Sequence, residues 1–290
     1  MIVLSRNNPK GIIWIASYPR SGNTWTRAFI NTVSRIIRDP GFRDIDINRL
    51  EEDSASESKA ELYSQVLGKP AHRASDGEIA SARPRVQAAI ARQLNRPVFI
   101  KTHNANALDH GFPIINMGAS AGAVYVVRNP LDVVISFAAF SGTTIDHAIE
   151  AMATPGYGVQ TSRTHVRVVT GSWSEHVGSW TARPHPAILV VRYEDLAADP
   201  LRHFGAVARH LLMTPSEDQL ARAIELTGFE RLRAKEAAEG FGERPDTTSQ
   251  FFRAGRAGQW RETLSAAQVE RMVAAHRPLM KRFGYLPEGA

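Results

Sequence analysis

His103 ends the run Val98-Phe99-Ile100-Lys101-Thr102-His103, two residues after a lysine. A neutral imidazole accepts a proton near about pH 7. An ammonium nearby steadies negative charge that builds on a leaving group. The chain holds ten histidines, and His103 is the one that leaves an apolar run beside a lysine. A second chemical feature lies near the start, in Ile12-Ile13-Trp14-Ile15-Ala16-Ser17-Tyr18-Pro19-Arg20-Ser21-Gly22-Asn23-Thr24-Trp25. It reads as a buried strand, a tight polar turn and a helix start. The first N–H groups of a helix have no partner within it and sit at the positive end of its dipole, so such a turn collects anions. Gly22 lets the backbone approach a bound group, Ser21, Asn23 and Thr24 add donors, and Arg20 adds charge. The expected guest is a phosphate-like or sulfate-like group. The turn is not a standard nucleotide P-loop, because it lacks the first glycine and the Gly-Lys-Ser/Thr ending.

Three further segments carry candidates. In Ala123-Val124-Tyr125-Val126-Val127-Arg128-Asn129-Pro130-Leu131-Asp132, Arg128 stands at a strand end beside a helix start and suits an anion. Asn129, Pro130 and Asp132 suffice to begin that helix, and Ser136 follows one turn later. Phe251-Phe252-Arg253-Ala254-Gly255-Arg256-Ala257-Gly258-Gln259-Trp260-Arg261 combines three arginines, two glycines and aromatics, which fits either a wrapped phosphate or a basic surface loop. In Ile188-Leu189-Val190-Val191-Arg192-Tyr193-Glu194-Asp195, the acids read as helix caps or as a magnesium-holding strand end.

Positioning these residues requires a scaffold of alternating strands and helices. Ile12–Ser17, Val98–Lys101, Ala123–Val127 and Ala187–Arg192 are short continuous apolar runs, the pattern of strands buried on both faces of a parallel sheet. Helical spacing predicts helices after Thr24 and over Ser81–Leu94, Leu201–Leu212, Glu217–Leu226 and Ala266–Phe283. The polar segments Asp39–Ala71 and Ala234–Gln250 read as long loops. The expected fold is therefore α/β, a central parallel sheet flanked by helices in three layers, with residues 1–290 as one domain. Phe137, Phe140, Tyr157 and Trp173 are candidates for the lining of an acceptor site or for the core.

Composition narrows the class. The 290 residues are 43% hydrophobic and include no cysteine, which excludes disulfides, zinc–thiolate sites and cysteine nucleophiles. Residues 1–11 lack the apolar core of a signal peptide, and no apolar run approaches the ~20 residues of a membrane span. A cytoplasmic protein is expected. The net charge of +6 comes without lysine-rich runs or aromatic–basic repeats, so it points to a cleft for an anionic small molecule rather than to nucleic acid.

Taken in order and spacing, the five segments resemble the PAPS-dependent sulfotransferases, PAPS being 3′-phosphoadenosine 5′-phosphosulfate. Tyr18 through Trp25 resembles that family's 5′-phosphosulfate loop, Lys101-Thr102-His103 its Lys-Thr-His, Arg128 through Ser136 its 3′-phosphate segment, Tyr193-Glu194-Asp195 its Tyr-Glu-Asp, and Phe251 through Arg261 its C-terminal Arg-Lys-Gly…Gly-Asp-Trp-Lys signature. The resemblance runs from about residue 11 to 285. It implies a P-loop-like phosphosulfate loop, with PAPS as sulfuryl donor, PAP as product and no metal. It implies a small-molecule hydroxyl acceptor and a monomer or homodimer. His103 would be the general base, assisted by Lys101 and Arg20. Arg20, Ser21, Gly22, Asn23 and Thr24 would hold the 5′-phosphosulfate. Arg128, Ser136, Arg253 and Gly255, in the segment opened by Phe251 and Phe252, would hold the 3′-phosphate. Trp25, Tyr193, Thr227 and Phe229 would meet the adenine. The chain departs from the family in Arg20 and Ala254, which replace lysines, and in Gln259, which replaces an aspartate. A P-loop kinase using ATP and magnesium, with Glu194 or Asp195 on the metal, and a PAPS- or PAP-binding protein without turnover are the alternatives.

Overall fold

The computed structural model describes residues 10–92 and 96–289. Residues 1–9, on which most of the signal-peptide reading rests, and Leu94, the expected end of one helix, lie outside the described residues. In chain order the strands are β1 (Ile12–Ser17), β2 (Ser54–Ser56), β3 (Val98–Thr102), β4 (Leu108–Asp109), β5 (Phe112–Pro113), β6 (Ser120–Val127), β7 (Gly158–Val159), β8 (Val168–Val169) and β9 (Ile188–Arg192). The helices are α1 (Asn23–Arg38), α2 (Leu50–Asp53), α3 (Ala60–Leu67), α4 (Asp76–Arg92), α5 (Pro130–Ser141), α6 (Ile145–Ala153), α7 (Trp173–Thr181), α8 (Tyr193–Ala198), α9 (Pro200–His210), α10 (Glu217–Leu226), α11 (Phe229–Glu239), α12 (Trp260–Thr263) and α13 (Ala266–Phe283).

A central parallel sheet of five strands, in the order β2-β3-β1-β6-β9, is flanked by helices. Ile12 pairs with Val98 and Ala16 with Thr102 along β1 and β3. Every residue of β1 and β6 is buried, which is why these strands read as unbroken apolar runs. Four strands lead straight into residues singled out by their chemistry: β1 into Tyr18, β3 into His103, β6 into Arg128 and β9 into Tyr193. Among the described residues no helix is long and apolar enough to cross a membrane.

The chain forms two compact units that interleave along the sequence. One comprises Met1–Tyr18, Ser54–Tyr125 and Ala151–Val190, the other Pro19–Asp53, Val126–Glu150 and Val191–Ala290. The second unit has its own apolar cluster, in which Ala28, Ile45, Ile47, Leu50, Leu232, Phe241 and Phe252 pack with Trp25, Phe42, Phe229 and Phe251 around them.

Two expectations about loops are corrected. The segment Asp39–Ala71 contains α2, β2 and α3, and β2 pairs in parallel with β3 through Ser54–Phe99 and Ser56–Lys101. A strand of Ser-Ala-Ser has no apolar run to announce it; its partner strand supplies the reason it forms. Ala234–Gln250 is helical as far as Glu239, the end of α11. The helix expected at Ser81 starts at Asp76, where Asp76 and Glu78 lie in the first turn and favour the positive end of the dipole.

Candidate active site

In the second unit three arginines crowd one locality. Arg20 adopts a left-handed backbone, φ 66°, a conformation that costs a bulky residue about 1–3 kcal/mol. Its guanidinium donates to two partners and lies against two aromatic rings. Nε donates to Ser136 Oγ at 3.0 Å and Nη2 to the Phe251 carbonyl at 2.9 Å. The rings of Phe140 and Phe251 lie 4.7 and 4.2 Å away. Arg128 donates to the carbonyls of Arg20 and Arg256, each at 3.1 Å, and lies 4.1 Å over the Tyr193 ring. Arg253 donates to Gln259 Oε1 at 2.7 Å. Burial, then the charges of Arg128 and Arg253, pull the Arg20 pKa down to about 10. Burial, then Arg128 and Arg256, also lower that of Arg253.

This cluster has the chemistry of an anion holder. Ser21 Oγ, Trp25 Nε1 and Arg128 Nε are buried donors with no hydrogen-bond partner, a condition that costs about 1–3 kcal/mol per group. Anionic groups rich in acceptor oxygens suit donors of this kind and relieve the repulsion among the guanidinium groups. The N-terminus of α1 adds backbone donors: Gly22 provides no side-chain cap, and no acid stands in the first turn. Glycine is required at two points. Gly22 has φ 105°, and a Cβ there would fall 2.8 Å from Tyr193 Cδ2. At Gly255 a Cβ would fall 2.2 Å from Phe229 Cγ.

Two buried carboxylates fasten the C-terminal arginine segment. Asp132 starts α5, whose cap is Asn129 and whose first residue is Pro130, as the sequence indicated. Its oxygens also accept from the backbone N–H groups of Gly258, at 2.7 Å, and Trp260, at 3.1 Å. Glu236 of α11 accepts from Phe251 N at 2.6 Å and Phe252 N at 2.9 Å. Neither partnership leaves a local trace in the sequence, since each joins residues far apart in the chain.

The first unit holds the histidine. His103 Nδ1 lies 2.8 Å from the Ser17 carbonyl. A carbonyl only accepts, so Nδ1 carries the hydrogen of the neutral ring and Nε2 holds the lone pair. The backbone is gripped as firmly. The His103 carbonyl faces His176 Nε2 at 3.2 Å, and His176 Nδ1 faces Tyr125 Oη at 2.9 Å. Burial drives the His176 pKa down to about 3, so that ring is neutral and donates through Nε2. His176 was not evident from the sequence, where it is one polar position in a short helix. Lys101 stands in β3 with Ile15 and Ser56 as its register partners.

The candidate catalytic and nucleotide-holding residues thus divide between the units: Lys101 and His103 belong to the first, and the rest to the second. Of the acceptor-lining candidates, Tyr157 and Trp173 belong to the first and Phe137 and Phe140 to the second. Within the second, the structure brings together Arg20, Gly22, Trp25, Arg128, Ser136, Tyr193, Phe251 and Arg253 through the contacts above. Tyr193 also packs edge-on to Trp25. Asn23 and Thr24 are buried in the first turn of α1. Thr227 is fully buried, and its hydroxyl donates to the Ala223 carbonyl at 2.7 Å. Phe252 is a member of the apolar cluster, and Phe229 packs against it. Trp173 is a core residue, and the Phe140 ring lies against the Arg20 guanidinium. Glu194 accepts from Asn129 N at 2.9 Å and from Tyr285 Oη at 2.8 Å. It ties two chain segments together and is not the helix cap the sequence suggested, since α8 has Arg192 at its N-cap and no side-chain cap hydrogen bond.

Comparison with known proteins bears on nearly the whole chain. The sulfotransferase domain family matches residues 10–284. Dog sulfotransferase 1B1 is 27% identical over 281 residues, covering 94% of this chain and 84% of the dog protein. Human sulfotransferase 1E1 is 24% identical, covering 92% and 83%. Mouse sulfotransferase SULT7A1, solved in complex with PAP, superposes with a TM-score of 0.62 at 19% identity, covering 93% of this chain and 85% of the mouse chain. A retinol dehydratase solved with androsterone and PAP gives 0.64 at 21%, covering 95% and 82%.

Proposed function

The chain belongs to the sulfotransferase family, and we propose that it transfers a sulfuryl group from PAPS to a hydroxyl of a small-molecule acceptor, with residues 1–290 working as one catalytic domain. The observation that carries this reading is the arginine cluster of the second unit, with its buried, unpartnered donors Ser21 Oγ, Trp25 Nε1 and Arg128 Nε. The relatives solved with PAP support the choice of nucleotide. When bound, PAPS supplies an activated sulfuryl group. Arg20, Ser21, Gly22, Asn23 and Thr24 hold the 5′ anion. Arg128, Ser136, Arg253 and the backbone at Gly255 hold the 3′-phosphate, and Trp25, Tyr193 and Phe229 flank the base.

His103 removes the acceptor proton at Nε2. The Ser17 carbonyl keeps Nδ1 protonated, so the ring presents the correct nitrogen and its cationic form is stabilised once the proton arrives. Lys101 and Arg20 offset charge on the departing oxygen. Arginine at position 20 differs from lysine in one useful respect: its planar fork serves Ser136 and the Phe251 carbonyl at once. The kinase alternative would put Glu194 or Asp195 on magnesium, but both Glu194 oxygens already accept hydrogen bonds and Asp195 pairs with Arg192 at 3.4 Å.

The test is incubation of the purified protein with PAPS and a panel of phenols, alcohols and sugars, read by mass spectrometry. One or more acceptors gain the mass of an SO₃ group, and PAP is released in equal amount. Phosphate transfer from ATP with magnesium, without sulfuryl transfer from PAPS, would overturn the reading.

A further inference from the structure

We propose that Glu57 is a positioning residue that fixes the Thr102–Asn104 turn and through it the ring of His103; this rests on the reading of His103 as the general base. Glu57 follows β2 directly and is 1% exposed. Its carboxylate is surrounded by donors: Asn104 Nδ2 at 2.5 Å, Tyr63 Oη at 3.1 Å, Arg83 Nη1 at 3.3 Å and Thr102 Oγ1 at 3.4 Å. Arg83 is fully buried, so the pair is an ion pair away from water. Replacing such a pair with apolar side chains is often neutral or stabilising, so its retention calls for a reason beyond stability.

The reason lies in what Glu57 grips. Two of its four partners are the residues on either side of His103. Thr102 Oγ1 in turn accepts from Asn104 N at 3.0 Å, which closes a ring of bonds around the histidine's backbone. Asn104 is pinned from the far side as well. Its Oδ1 accepts from Val169 N at 2.7 Å and its carbonyl from Trp180 Nε1 at 3.0 Å, and Ala105 N donates to the Val169 carbonyl at 2.8 Å. The turn therefore has no freedom to rotate, and the ring it carries meets the Ser17 carbonyl in one orientation. Strand β2 makes the same point. Ser-Ala-Ser buries little apolar surface, and what it delivers at the sheet edge is Glu57.

The experiment is Glu57→Gln, with Asn104→Ala read in the same way should the first variant fail to fold. PAP affinity and KM for PAPS should stay near wild type, while kcat falls about 10–100-fold, the usual loss when an outer-shell partner is removed. In the ¹⁵N spectrum the His103 Nδ1–H tautomer should give way to a mixture. In a His103→Ala background Glu57→Gln should add less than about 2-fold, because both changes act on one element. Wild-type kcat with an unchanged His103 tautomer would overturn the proposal, as would losses that multiply in the double variant. Full turnover by His103→Ala alone would defeat the general-base reading instead, and the tautomer measurement would still judge Glu57.

Discussion

The histidine turn and the arginine cluster solve opposite problems. Around His103 the interactions point inward and are satisfied: carbonyls, amides and a buried carboxylate lock one ring in one tautomer. Around Arg20 and Arg128 like charges crowd, donors stay unpaired and one bulky residue sits in a left-handed backbone. A base has to be ready before its substrate arrives, and hydrogen bonds within the protein can make it so. A holder of anions has to keep its donors for the guest, so it is uncomfortable without one. The lesson is that satisfied and unsatisfied polar groups mark different kinds of work.

The contrast can be broken most severely at the base. His103→Ala should lower kcat by about 10²–10⁴-fold while PAP binding measured by calorimetry stays unchanged. Loss of PAP affinity would show that the turn also serves the anion. Arg128→Ala should do the reverse, weakening PAP binding by about 1.5–3 kcal/mol with little change in kcat at saturating donor. Asp132→Ala strands two backbone donors of the C-terminal arginine segment. It should cost about 1–3 kcal/mol in denaturant unfolding and raise KM for PAPS; unchanged values for both would separate that segment from the anion site.

The smallest effect tests the satisfied region by pH. The His176 pKa is about 3 in the fold against 6.5 in the open chain. Below about 6.5 the unfolded chain binds a proton that the folded chain refuses. Stability is therefore lost as pH falls from about 6.5 towards 3, and is untouched by this group at higher pH. His276, lowered by burial to about 4, adds to the same slope. Denaturant curves across this range should lose part of the slope in His176→Asn.

What the sequence made legible was local. β1 reads directly from Ile12–Ser17, and α10 and α13 have the expected bounds. The cap at Asn129 is written in Asn129, Pro130 and Asp132, within four positions. The losses share one cause: their reason to exist lies far along the chain. β2 forms because β3 is beside it. Asp132 looks like a helix starter until Gly258 and Trp260 come to its oxygens. His176 and Glu57 are ordinary polar residues until the fold sets them against the histidine turn. Arg20 was legible as a cation, but its contact with Phe251 depends on a residue more than two hundred positions away.

The interleaving of the two units limits how such an enzyme can be rebuilt. The chain passes between them at Tyr18/Pro19, Asp53/Ser54, Tyr125/Val126, Glu150/Ala151 and Val190/Val191, so no single cut releases either one whole. Truncation and end-to-end fusion are closed routes to a hybrid. Exchanging the first unit between relatives calls for the segment ending at Tyr18 and internal grafts of Ser54–Tyr125 and Ala151–Val190 together. During synthesis the first unit has all its pieces once Val190 emerges, while the second waits for the C-terminus. The histidine turn can thus be assembled on the ribosome before the arginine segment exists.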